Sequence, residues 1–166
     1  MSANGSRGRT DVEYPPERRR WLVPAGVLGA FAFWLTIGLK PLLFGNIAWM
    51  QFGDAATYYL GWAFYRSEPL HFPPGASSYY GIELANAIYF TDSVPILAVP
   101  LKFFSFAFGP IFQYFGFWLL ICFVLQGIAG WLLIGRYAES RVAKLGFVGI
   151  CLFLPPFLGR IIENGH

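Results

Sequence analysis

The run IFQYFGFWLLICFVLQGIAGWLLI, residues 111–134, decides how the rest of the chain is read. It carries no charge, and only Gln113 and Gln126 interrupt its apolar character. At 1.5 Å of rise per residue such a helix reaches roughly 36 Å, more than the roughly 30 Å hydrocarbon core of a bilayer. Arg136 follows closely, as expected of a residue anchoring a span at the membrane surface. Working outward, 21–43 is apolar except for Thr36 and Lys40, with Trp21 at one predicted interface and Lys40–Pro41 at the other. Residues 145–162 form a third apolar run, in which Pro155–Pro156 is expected to bend the helix or end its regular part. A fourth segment, 93–108, is apolar but short and holds Pro95, Pro100 and Lys102, so it is read as interfacial or re-entrant.

Composition agrees with a membrane chain. Of 166 residues, 56% are apolar, 20% aromatic and 13% charged, against about 25% charged in an average soluble domain. That balance excludes a soluble globular enzyme, a disordered chain and a nucleic-acid module. The net charge of +3 resolves by position. Arg7, Arg9, Arg18, Arg19 and Arg20 precede the first apolar run, and Arg136, Arg141 and Lys144 follow the second. Between them, 44–110 holds Asp54, Glu68, Glu83 and Asp92 against Arg66 and Lys102. The positive-inside rule then predicts three crossings with a cytoplasmic N-terminus, an acidic outer loop and no nucleic-acid partner. Cys122 and Cys151 sit in apolar runs and read as packing residues.

The expected fold is therefore an all-α integral membrane protein of three transmembrane helices, with interfacial helices in a large external loop. Its parts are a disordered basic tail (1–20), spans at 21–43, 111–135 and 145–162, an outer loop (44–110), a cytoplasmic loop (136–144) and an external end (163–166). Within the outer loop, Tyr58, Trp62 and Tyr65 follow Asp54 at one-face helical spacing. This predicts an aromatic helix at about 54–66, lying at headgroup level, with Asp54 as its cap. Asp54 also stands just beyond the outer end of the first span, where a lipid-linked substrate would present its headgroup. A carboxylate there can accept a proton from an acceptor hydroxyl or help hold a divalent cation against a phosphate.

Other loop residues carry weaker signals. His71 lies in a turn-rich stretch with no second histidine or cysteine at metal spacing. Asp92 or Ser93 reads as the cap of a helix with Pro95 in its first turn, though Asp92 could also face a polar pocket. Lys102, one apolar segment later, is a candidate phosphate partner. No Walker loop, dinucleotide fingerprint, Ser-His-Asp signature or CxxC pair occurs.

Several stretches together resemble a known pattern. They are Gly53-Asp54 with Tyr59-Leu60-Gly61-Trp62, Phe72-Pro73-Pro74-Gly75, Thr91-Asp92-Ser93-Val94-Pro95, and Phe112 to Trp118 continuing through Cys122 to Gly127. The arrangement resembles the amino-terminal part of the GT-C superfamily of membrane glycosyltransferases and, more narrowly, a bacterial inner-membrane family of unknown function. The resemblance implies a polyprenyl-phosphate-linked sugar donor, a catalytic base at Asp54 and a multi-pass place in the bacterial inner membrane. Glu68, Glu83 or Asp92 would supply a second carboxylate, since Ala55, Ala56 and Thr57 follow Asp54. Arg160, Glu163 and His166 would emerge on the same side and add polar groups to the site. Because that pattern continues past a third span, a fragment inactive alone is expected. The alternative is a non-catalytic scaffold or glycan-handling subunit of the same architecture.

Overall fold

The computed structural model describes residues 20–78 and 86–154. Glu83, Arg160, Glu163, His166 and most of the basic tail lie outside the described residues, as does the segment 155–162. Among the described residues there are five α-helices: α1 (Leu22–Thr36), α2 (Gly53–Ser67), α3 (Pro95–Phe103), α4 (Phe115–Ile134) and α5 (Arg141–Leu152). The one sheet among the described residues is a two-residue antiparallel pair, β1 (Ala76–Ser77) and β2 (Asn86–Ala87), with Ala76 opposite Ala87. The fold is mostly helical, as expected. Among the described residues one helix, α4, is long and apolar enough to cross a membrane. Three full-length spans are not found among the described residues, and each boundary has a local cause.

The expected span at 21–43 stops early. Gly38 takes a positive φ of 82°, and its N–H donates to the carbonyls of Phe33 and Trp34, closing the helix in a left-handed cap. The hydroxyl of Thr36 donates back to Ala32 O at 2.8 Å. What remains is 15 residues, or about 22 Å of helix, followed by a 3-10 turn at Lys40–Leu42. The third apolar run starts earlier than expected, because the Ser140 hydroxyl accepts from Ala143 N and initiates α5 at Arg141. That helix ends at Leu152, and Pro155–Pro156 lie outside the described residues.

α1, α4 and α5 pack together through small residues. Ala25, Gly26, Gly29 and Ala32 line the buried side of α1, and Gly127 and Gly130 that of α4. A Cβ on Gly29 would lie 2.2 Å from Phe123 O, and one on Gly127 would lie 2.4 Å from Ala25 O. Backbones this close leave room only for hydrogen, the device by which helices associate where lipid removes the hydrophobic driving force. Phe33 and Phe123 meet edge-to-face at 5.8 Å beside the crossing. α5 joins through Val148 and Leu152, and Gln126 Nε2 donates to Cys151 O at 3.3 Å.

α2, α3 and the strand pair form a second unit at the other end of α4. Its core holds Met50, Ala55, Trp62, Tyr65, Ile88, Ala98, Phe112, Tyr114 and Phe115. The aromatic stripe of α2 is real, but Trp62 and Tyr65 are buried against protein rather than turned to headgroups. Trp62 Nε1 donates to Phe112 O at 2.9 Å and its ring meets Tyr114 edge-on at 5.0 Å. The exposed side of α2 carries Leu60 and Phe64 instead. α3 is nine residues long, too short to cross a bilayer. Its N-cap is Val94, in a left-handed conformation at φ 49°, and not Asp92 or Ser93. Ser93 is occupied elsewhere: its hydroxyl donates to Tyr58 O at 2.7 Å, and its carbonyl accepts from the Tyr114 phenol.

Replacing Gly29 by Val should separate α1 from α4 and destabilise the chain by about 3 kcal/mol or more, since the added atoms meet backbone rather than a mobile side chain. Thermal unfolding in detergent checks this. Gly146→Ala, where an added Cβ meets nothing within 4 Å, should change stability little.

Candidate functional site

The polar groups of the second unit collect at the two ends of α2. Asp54 opens the helix, in its first turn, with Arg66 in its last. It does not cap the helix, since the N-cap is Phe52 and makes no side-chain cap bond. Its charge instead lies in the favourable field of the helix N-terminus. The Asp54 backbone carbonyl accepts from the Thr57 hydroxyl at 2.7 Å. Among the described residues the exposed Asp54 carboxylate has no hydrogen-bond or ionic partner. The turn leading into α2 holds Trp49, whose indole nitrogen is buried and makes no hydrogen bond among the described residues. Asp92 is also exposed, and its neighbour Ser93 is fastened to Tyr58, one turn beyond Asp54. The close approach of Thr91 and Ser93 to α2 requires Gly61, where a Cβ would meet Ser93 Oγ at 2.5 Å.

At the far end, about 20 Å along the helix axis, Glu68 is buried. Its carboxylate accepts from Ser77 Oγ at 2.8 Å and from Ser78 N at 2.7 Å. His71 Nε2 lies 3.8 Å from Glu68 Oε2, with 40% of the imidazole side chain exposed. Lys102, only 5% exposed, donates from Nζ to Pro69 O at 3.2 Å and sits 3.9 Å over the Tyr65 ring. Burial pushes its ammonium down in pKa, and the nearby Glu68 carboxylate partly restores it. Burial also raises Tyr65, with Tyr89 adding to the rise and a backbone hydrogen bond at Gly75 opposing it.

The candidate residues therefore do not converge. Asp54 and Asp92 share one half of α2, His71 and Lys102 the other, and Glu83 and Arg160 fall outside the described residues. Lys102 is a buried prop for the loop after α2 and does not present its ammonium to a solvent-borne phosphate. Among the described residues no group of three or more His, Cys, Asp or Glu is placed to hold a metal ion. The buried Glu68 was legible only as one of several acids in the loop. Arg66 gave no signal at all beyond its charge. It donates to the carbonyls of Ser105, Phe108, Gly109 and Pro110 and lies 5.6 Å from the Phe112 ring centroid. Beside it is a cavity of about 170 Å³ lined by Tyr59, Trp62, Ser67 and Pro110.

Chemically, the Glu68 end can orient an imidazole at the surface, whereas the Asp54 end offers a carboxylate with no internal partner among the described residues. The first is a structural anchor that a reaction could use. The second is available for proton transfer without breaking an internal contact.

In the native protein, Lys102 should titrate below the ordinary lysine value, and Glu68→Gln should lower it further. The protonated form is the one burial penalises, so this residue's contribution to stability should grow as pH rises from the lowered native value towards the ordinary one. NMR of methyl-labelled lysines in micelles reads both shifts. A Glu68→Gln protein in which Lys102 titrates higher would contradict the placement.

Residues 26–166 match the family model of a domain of unknown function, DUF6311. No curated protein and no solved structure matches the chain.

Proposed function

The chain thus belongs to the DUF6311 family, and we propose that it forms the amino-terminal part of a GT-C-like membrane glycosyltransferase. In this reading the enzyme uses a polyprenyl-phosphate-linked sugar at the outer face of a bacterial inner membrane. Asp54 is the base that accepts the proton of the acceptor hydroxyl, or an acid that helps bind a divalent cation. The observation that carries the reading is Asp54 itself: an exposed carboxylate without an internal partner among the described residues, on the first turn of a helix that follows α1. The GT-C-like motif order around it supports the assignment.

The membrane setting has its own support. Of the most apolar stretch of α4, only 22% is buried within the protein, unlike the core helix of a soluble domain. Val23, Val27 and Leu35 on α1 are exposed as well. In water so much uncovered apolar surface would drive association; in lipid it is the solvated face. We read α1, α4 and α5, with the residues that extend α1 and α5, as three crossings. Trp21 stacks on Trp131 at 5.4 Å, so the start of α1 lies beside the end of α4. The basic residues Arg20, Arg136, Arg141 and Lys144 then share one end of the bundle, which the positive-inside rule assigns to the cytoplasm. Asp54 and Asp92 belong to the unit at the other end.

A non-catalytic glycan-handling or scaffold role is the second reading. It is favoured by the sequence after Asp54, where Ala55, Ala56 and Thr57 follow in place of an adjacent acid, and by Glu68 lying at the far end of α2.

Asp54→Asn should reduce sugar incorporation into the outer-face acceptor by about 100-fold or more, the scale of a lost general base, with expression unchanged. Full incorporation at matched expression would favour the second reading. Topology is checked separately with a membrane-impermeant maleimide. Asp54→Cys should label in intact cells and Ser140→Cys only after permeabilisation.

A further inference from the structure

At the basic end of the bundle lies a cavity of about 360 Å³ lined by Arg20, Trp21, Pro24 and Arg141. We propose that it holds the phosphate of one anionic phospholipid, with the acyl chains lying along the apolar outer faces of α1 and α5. The proposal rests on the membrane-spanning reading above and is independent of sugar transfer.

Its wall is a built aromatic platform. Trp21 and Trp131 stack at 5.4 Å, the guanidinium of Arg141 lies 5.6 Å from the Trp21 ring centroid, and Lys144 Nζ lies 5.6 Å from that of Trp131. The five donors of a guanidinium lie in one plane, so Arg141, which already has a partner of its own, can add phosphate oxygens to the contacts it makes. Arg20 is exposed and brings a second guanidinium to the same cavity from the chain entering α1. Two arginines at one cavity bring two positive charges to an anionic phosphodiester, whose two non-bridging oxygens can accept from both.

The surroundings select a lipid over a free anion. Val23 and Val27 on α1 and Val142 on α5 are exposed, at 73%, 62% and 80%. These apolar surfaces flank the cavity lining at Trp21, Pro24 and Arg141. Tryptophan pairs are also at home at headgroup depth, where one edge is wet and the other is in hydrocarbon. Pro24, near the start of α1, lacks a backbone N–H and so leaves no donor there to be satisfied in the apolar wall.

The test uses native mass spectrometry of the purified full chain in detergent, with phosphatidylglycerol or phosphatidylcholine added at equal concentration. One phosphatidylglycerol should be retained about tenfold or more tightly than phosphatidylcholine, the order expected for two arginines near a lipid phosphate. The double substitution Arg20→Gln with Arg141→Gln should abolish that preference while the circular dichroism of the helices is kept. Arg136→Gln, which alters an exposed charge that does not line the cavity, should preserve it. Equal retention of the two lipids by the unaltered chain would overturn the proposal, as would an undiminished preference in the double variant. Glycerol phosphate that displaces the bound lipid at equal concentration would identify a free-phosphate site and overturn the lipid assignment. Asp54→Asn should leave lipid retention unchanged, so failure of the transferase reading and failure of this one are separable. Labelling of Ser140→Cys from outside would refute the topology on which both are drawn.

Discussion

The two halves of this protein are joined through Gln113, whose side chain is fully buried. Its Nε2 donates to Pro41 O at 2.6 Å and Leu43 O at 3.0 Å, and its Oε1 accepts from Gly116 N at 3.1 Å. Its own backbone N–H donates to Phe44 O at 2.8 Å. One residue thus satisfies three carbonyls of the strap that follows α1 and one orphan donor at the start of α4. Left without partners at that depth, each such group costs roughly 1–3 kcal/mol. The bond set also brings the strap so near that a Cβ on Gly116 would fall 1.9 Å from Pro41 O. The second unit hangs from this joint. The segments running into α2 and out of α3 meet there, so the position of Asp54 relative to the bundle is set by an amide.

That joint explains why hydropathy misplaces the ends of the apolar runs. Residues 111–114 belong to the same apolar run in the sequence, yet their backbone is committed to the strap and to Trp62 before α4 begins at Phe115. Gln113 and Gln126 look like blemishes in an apolar run, and they turn out to be its connections to other segments. At the end of α1 the signal was present in the sequence: glycine at 38 and proline at 41 are stop signals. An apolar window weighs side chains and is blind to the carbonyls that Gly38 satisfies. The periodicity of α2 was legible because it depends on spacing alone. Which partner covers its aromatic face was not, because Phe112 and Tyr114 lie some 50 residues away in the sequence and reach it only through the Gln113 joint.

Among the candidate site residues, chemistry was legible and position was not. Asp54 stands out in sequence because it follows an apolar run, and it remains an exposed acid at the head of α2. Lys102 stands out because it interrupts an apolar stretch. A lone lysine in such a place is either a ligand for something outside or a prop for something inside. Here Pro69 O, the Tyr65 ring and the Glu68 carboxylate engage it from one side of the fold. Arg66 follows the same logic at the other side of α2, with its donors turned to the carbonyls of the loop that precedes α4. Both cations of the outer unit are thus absorbed in holding its loops.

The excess of aromatic rings then divides by role. Trp62, Tyr65, Phe112, Tyr114 and Phe115 form the interior of the outer unit, and a small unit with one short helix pair and a two-residue sheet needs that much ring area to stay folded. Phe103, Phe104 and Phe106 are exposed around the end of α3, with Ile96 exposed at its start. They extend an apolar edge that the protein does not cover. In the membrane reading proposed above, that edge rests in the interface and fixes the depth of the outer unit. The depth of Asp54 then follows from α2 and the Gln113 joint, at the surface from which a lipid-linked donor would be met.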